Sequence, residues 1–177
     1  MMSVRNENTP SAALRDRLTG ALISLARVTD GNEHLISKSS TEIILEGLAA
    51  TADNASCDCS ALEQFLNRVT EEKRKMVPDC FTCASPCGKN NDYDMQKLWT
   101  AEENVRSMKL RILSGIRSMA AHARRTEASG YPEEAVISFL YKGLIVLGMD
   151  DWGTEELAPI VRELEDMKLK SVALPDA

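Results

Sequence analysis

Three cysteines lie close together near the middle of the 177-residue chain, in the stretch CFTCASPCGK. Cys80, Cys83 and Cys87 have the spacing C-x2-C-x3-C. Thiolates are soft ligands, and a C-x2-C pair in a short turn brings two of them onto one cation. Pro78 and Pro86 restrict helix formation in this stretch, which favours a loop. The spacing therefore predicts a metal site in which these three cysteines are ligands.

A fourth ligand is expected, because structural zinc sites and iron–sulfur clusters usually have four. The two other cysteines of the chain, Cys57 and Cys59, lie in a predicted loop and are the candidates for this place. His122 is a weaker candidate, because it is predicted to lie inside a helix where it can simply face solvent.

Two other interpretations of the cysteines stay open. Free cysteines in a loop can be buried as small apolar residues. Cys80 and Cys83 could instead form a reversible disulfide, although C-x-x-C redox pairs usually begin a helix that follows a strand, and the sequence predicts no strand. An odd number of cysteines, five in all, does not suggest a disulfide framework.

Composition limits the classes of function. The chain is 44% hydrophobic and 27% charged, which is typical of a globular protein. A net charge of −6 argues against nucleic acid or an anionic membrane as the main partner. The N-terminal residues MMSVRNENTP have no apolar core, and the longest apolar stretch is too short to span a bilayer. We therefore expect a cytoplasmic protein that binds neither nucleic acid nor membrane.

The elements that position the cysteines are predicted to be helices, because apolar residues recur at helical spacing throughout the chain and no stretch alternates like a strand. The predicted helix starts are Pro10, Ser39, Ser60, Asp92 or Asp94, Pro132, and the residues after DDWGTEE. The fourth of these helices is predicted to run without interruption to near Gly130.

An internal repeat divides the predicted helices into two halves. Gly20 corresponds to Gly115 at an offset of 95 residues, and Gly47 corresponds to Gly143 at an offset of 96. We therefore predict an all-α fold of two tandem three-helix bundles joined by a cysteine-containing connector. The predicted segments are an N-terminal tail 1–10, a first bundle 11–76, the connector 77–92, a second bundle 93–171 and a C-terminal tail 172–177.

The cysteine motif and the predicted helical sequence after it resemble the N-terminal helical region of the hybrid cluster proteins, the prismane or hydroxylamine reductase family. The sequence that carries this resemblance after the motif is MKLRILSGIRSMAAHARRTEASGYPEEAVISFLYKGL. Cys80 and Cys83 match the opening pair of the family motif, and Cys87-Gly88-Lys89 matches its closing C-G-K. The resemblance covers about residues 78–171. The family motif has a longer gap with another cysteine, and it opens the family's chain, whereas a helical half precedes it here.

This resemblance implies an iron–sulfur cluster on Cys80, Cys83 and Cys87, used for electron transfer to a protein redox partner. It does not imply the reductase activity, because the later domains that carry that activity have no counterpart in the 177 residues. The alternative is a non-enzymatic helical interaction module in which the same cysteines hold structural zinc or no metal.

Overall fold

The fold consists of helices joined by short loops in the parts of the chain that the computed structural model describes, residues 10–52, 59–76, 93–125 and 134–173. In chain order, the elements are α1 (Pro10–Val28), a 3-10 helix (Glu33–Leu35), α2 (Lys38–Ala52), α3 (Cys59–Met76), α4 (Gln96–Trp99), α5 (Glu103–Arg125), α6 (Glu134–Leu147) and α7 (Thr154–Ala173). These four ranges contain no strand, and the all-α prediction is confirmed. Within the same ranges, no helix combines the length and the apolar character needed to cross a bilayer.

The helices pack around one continuous hydrophobic core. In the first half, α1, α2 and α3 all contact one another, and in the second half α5 contacts both α6 and α7. Broad contacts of α2 with α5 and of α1 with α6 connect the halves. Because the core runs through both halves, the division into two separate bundles and its boundaries stay a prediction.

The start of α2 is held by a reciprocal pair of serines. Ser37 accepts a hydrogen bond from the backbone N–H of Ser40 at 3.1 Å, and the Ser40 hydroxyl accepts one from the N–H of Ser37 at 3.0 Å. The helix start predicted at Ser39 is therefore wrong, because α2 begins at Lys38 and Ser37 is its cap. Ser39 instead donates to Glu72 Oε1 on α3 at 2.9 Å, so its hydroxyl joins two helices.

The predicted uninterrupted helix after the cysteines is also wrong, because it is broken between Trp99 and Glu103. The carboxylate of Glu102 accepts hydrogen bonds from the backbone N–H groups of Asn104 at 3.1 Å and Val105 at 3.2 Å. These are N–H groups that a helix leaves without partners at its start, so Glu102 acts as a cap and begins α5 as a new helix.

The glycines matched by the repeat make equivalent contacts in the second helix of each half. A Cβ added at Gly47 of α2 would lie 2.9 Å from a methyl carbon of Leu22 on α1. A Cβ added at Gly143 of α6 would lie 2.9 Å from a methyl carbon of Ile116 on α5. In both halves, therefore, a glycine of the second helix lets an apolar side chain of the first helix approach closely.

Candidate metal centre and the anchors of the cysteine connector

The predicted ligands fall mostly outside the described residues. Cys80, Cys83, Cys87 and Cys57 all lie there. Cys59 is described: it is the first residue of α3, is free of disulfide bonding and packs half-buried against the hydrophobic core. The other candidate, the histidine at position 122, is exposed on α5.

The described ranges contain no group of three or more His, Cys, Asp or Glu side chains arranged to hold a metal ion. The predicted centre rests on the three cysteines of the connector, which lie outside those ranges. Their chemistry fits a soft metal or an iron–sulfur cluster, because all three donors are thiolates.

The length of α3 limits which cysteine could complete a zinc site. Cys59 and Met76 are the two ends of this 18-residue helix, which puts them about 25 Å apart at 1.5 Å per residue. Cys80 follows Met76 by four residues, and four residues span at most about 14 Å. Whatever path the chain takes, Cys59 and Cys80 are therefore separated by about 11 Å or more.

Two cysteines that share one zinc ion are closer than this limit. Zinc–sulfur bonds of about 2.3 Å and ordinary cysteine geometry keep the two Cα atoms within about 9 Å. Cys59 and Cys80 consequently cannot ligate the same zinc ion. Cys57 lies two residues further from α3, which adds up to about 7 Å of reach, so the restriction does not apply to it.

Tyr93 anchors the C-terminal end of the connector. Its backbone N–H donates to the carbonyl oxygen of Gly20 on α1 at 3.2 Å, and its hydroxyl donates to Asp150 Oδ1 at 2.9 Å. Only 6% of the residue is exposed. Burial raises the pKa of the Tyr93 phenol above its usual range, and the hydrogen bond to Asp150 raises it further. The phenol is therefore neutral at physiological pH and donates a hydrogen bond to Asp150.

The close approach of Tyr93 to α1 requires a glycine. A Cβ at Gly20 would overlap the carbonyl oxygen of Tyr93 and lie 3.3 Å from its carbonyl carbon. The corresponding glycine of the second half, Gly115, instead faces the side chain of Leu164 on α7. In the first half, therefore, the glycine matched by the repeat lets the backbone of Tyr93, the first described residue after the connector, pack directly against α1.

Buried polar side chains hold the other end of the connector, at the last turns of α3. Lys73 is 3% exposed, and its Nζ donates to Ser24 Oγ on α1 at 3.3 Å. Ser24 lies one helical turn after Gly20, where Tyr93 is bound. The two contacts attach the described residues on either side of the connector, Lys73 and Tyr93, to the same part of α1.

No local sequence signal identifies these anchors. Tyr93 directly follows Asn91-Asp92 in a polar stretch, and Lys73 belongs to a basic run that looks like a solvated helix face. In the sequence, Gly20 is distinguished only as one of the glycines that the repeat matches. Their roles depend on the packing of α1 against segments far away in sequence.

Comparison with known proteins finds a consistent set of relatives. A hydroxylamine reductase of Methanosarcina mazei is 27% identical, and the match covers 93% of this chain and 33% of the relative. One of Porphyromonas gingivalis is 25% identical over 99% of this chain and 35% of the relative. One of Chlorobaculum tepidum is 26% identical over 94% of this chain and 33% of the relative. No family model matches the chain, and no solved structure matches it significantly.

The chain spans about a third of the length of the curated relatives it matches. The predicted extent of the resemblance, residues 78–171, is too short, because a match over 99% of the chain also includes the helical half before the cysteines. A match to one third of a longer protein is consistent with a relationship to one domain, as predicted for the N-terminal region. The resemblance of this chain to the hydroxylamine reductase, or hybrid cluster protein, family is thereby confirmed.

Proposed function

We propose that Cys80, Cys83 and Cys87 hold an iron–sulfur cluster and that the protein exchanges electrons with a protein partner in the cytoplasm. The observation that carries this proposal is the similarity to hydroxylamine reductases over nearly the whole chain, combined with the C-x2-C and C-G-K elements of the cysteine motif. Because the chain spans a third of those relatives, the proposal does not extend to their reductase activity.

The two anchors of the connector support this function. A loop whose ends are already close together loses less entropy when its ligands converge than a free chain of the same length does. Tyr93 and Lys73 provide such an arrangement, because each is buried and bonded to the same stretch of α1. A cluster held there would take up and release single electrons, at a potential set by its charge, its hydrogen bonds and its exposure.

The test is anaerobic purification of the whole chain, with iron and acid-labile sulfide measured per polypeptide. We expect a brown protein whose absorbance is bleached by dithionite. Cys80→Ser, Cys83→Ser and Cys87→Ser should each remove or sharply reduce the iron content while leaving the helical circular dichroism signal unchanged. Cys57→Ser and Cys59→Ser, tested singly, identify the fourth ligand.

Two results would replace the proposal with its alternatives. A colourless protein with one zinc per chain would indicate a helical interaction module with a structural metal site. The reach of α3 then predicts that Cys57→Ser, and not Cys59→Ser, releases the zinc if Cys80 is also a ligand. A metal-free protein in which Cys80 and Cys83 form a disulfide at physiological potentials would indicate a thiol redox sensor.

A further inference from the structure

A cleft of about 470 Å³ lies where the linker between α4 and α5 meets the loop between α6 and α7. Polar side chains and one indole line it, and they include Lys97, Glu102, Lys109, Asp150 and Trp152. The cleft opens to solvent and is separate from the cysteine motif in sequence. The proposed cluster makes no use of it.

Lys109 is the buried group of this cleft. It belongs to α5, is 2% exposed and donates from Nζ to the carbonyl oxygen of Met149 at 3.1 Å. Burial lowers the pKa of the Lys109 amine, and the charges of Asp150 and Asp151 partly oppose this change. Within the part of the chain that the structure describes, no carboxylate oxygen comes within ion-pair distance of Nζ.

Other lysines differ from Lys109 in this respect. Lys97 pairs with Asp150 at 3.2 Å, and Lys142 pairs with Glu163 at 2.8 Å. Each of these ammonium groups is exposed to water and has a carboxylate beside it, and both conditions favour the protonated form. Lys109 has neither, yet it borders a cavity large enough for a small molecule.

We propose that Lys109 is a carbonyl-reactive amine and that the cleft admits a small neutral aldehyde or ketone, which condenses reversibly with its Nζ. A lysine amine that is shielded from water, as that of Lys109 is at 2% exposure, is the kind of amine that forms such imines in proteins. The unprotonated nitrogen attacks the carbonyl carbon, and the carbinolamine that results loses water to give the imine. The reaction needs no oxidant or reductant. Trp152 and Val105 supply apolar surface in the cleft for the carbon chain of the ligand.

The experiment treats the whole native protein at pH 7 with acetaldehyde and cyanoborohydride. The hydride reduces each imine to a stable N-ethyl amine, and peptide mass spectrometry then gives the extent of modification at each lysine. At short times, Lys109 should be ethylated several-fold faster than Lys142 in the same molecules. Modification of Lys109 at a rate equal to or lower than that of Lys142 would overturn the proposal, because it would mean that the buried amine is protonated or inaccessible.

A variant tests the electrostatic part of the argument without removing the amine. Asp151 is exposed and opposes the lowering of the Lys109 pKa, whereas Asp150 also holds Tyr93 and Lys97. Asp151→Asn should therefore speed the ethylation of Lys109 and leave the rate at Lys142 unchanged. The other titratable groups beside Lys97, Asp150 and Lys109, which are Glu102 and the neutral phenol of Tyr93, are unchanged in this variant. A slower or unchanged rate at Lys109 would count against the proposal, provided that the unfolding temperature is unaltered.

Discussion

Replacement of Gly20 by alanine tests the anchor of the cysteine connector directly. The new methyl group would overlap the carbonyl oxygen of Tyr93, so the backbone of the returning chain has to move away from α1. Forced overpacking of this kind costs about 1–3 kcal/mol. Loss of the 3.2 Å hydrogen bond between the Tyr93 N–H and Gly20 adds about 1 kcal/mol. The better helix propensity of alanine offsets about 1 kcal/mol of this loss of stability. The expected net loss is about 1–3 kcal/mol.

Urea unfolding measures this loss, and Gly47→Ala is the matched control. Its methyl group would meet only the flexible end of Leu22 at 2.9 Å, which can move aside, so we expect a change in unfolding free energy close to zero. Hydrogen exchange should show faster exchange of the Tyr93 amide in Gly20→Ala alone. The reasoning is refuted if Gly20→Ala is as stable as the wild type and the Tyr93 amide stays equally protected.

Three further substitutions test other contacts by the same urea measurement. Glu102→Ala should cost about 1 kcal/mol because it removes the cap of α5, whereas Glu103→Ala, which removes an exposed carboxylate without that cap, should cost less. Tyr93→Phe should cost about 1 kcal/mol at neutral pH. Because the folded-state pKa of this phenol is raised above 10.0, its contribution is complete below pH 10 and is lost at higher pH, so the difference from the wild type should shrink there. For Lys109, the folded-state pKa is lowered from 10.5, so protonation of the buried amine costs stability as the pH falls. Lys109→Met should gain stability relative to the wild type at neutral pH, and the gap should narrow as the pH rises toward 10.5.

The positions of the helices could be predicted because their apolar residues recur at helical spacing. The break before α5 could not, since Leu98 and Val105 are seven residues apart and continue one apolar stripe through it. The break depends on which of several acidic side chains caps a backbone N–H. In the same way, Ser37 and Ser39 are equally good caps by residue type, and contact with α3 directs Ser39 to Glu72 instead.

Buried cations were the feature least accessible from the sequence. A periodic pattern assigns lysine and arginine to the surface, yet Lys73 and Lys109 are almost completely buried. Arg117 of α5 donates from Nε to Thr51 Oγ1 at 3.0 Å and from a terminal nitrogen to Thr19 Oγ1 at 3.2 Å. Burial lowers its pKa to about 10, and nearby Arg15 contributes to this shift. The burial of these cations results from the packing of helices that are distant in the chain. A local sequence pattern gives no information about that packing.

The cysteine motif itself was recognised from residue types and spacing, and the comparison with relatives extended that resemblance to the whole chain. The identity of a fourth ligand could not be narrowed from sequence, because Cys57 and Cys59 are two residues apart. The length of α3 distinguishes these two cysteines as ligands of a zinc site that includes Cys80. It sets a minimum distance between Cys59 and Cys80, which the number of residues between them does not give.

The contacts that connect the two halves have a consequence for the origin of the protein. The first helix of one half, α1, packs on the second helix of the other, α6, and in the same way α5 packs on α2. Exchange of the halves converts one contact into the other, which is the defining property of an isologous dimer interface. A three-helix ancestor that paired with its own copy would present this surface twice. On the predicted division into two halves, a fusion of two such copies would need a linker where Cys80, Cys83 and Cys87 lie in the sequence, and the motif would then belong to the junction.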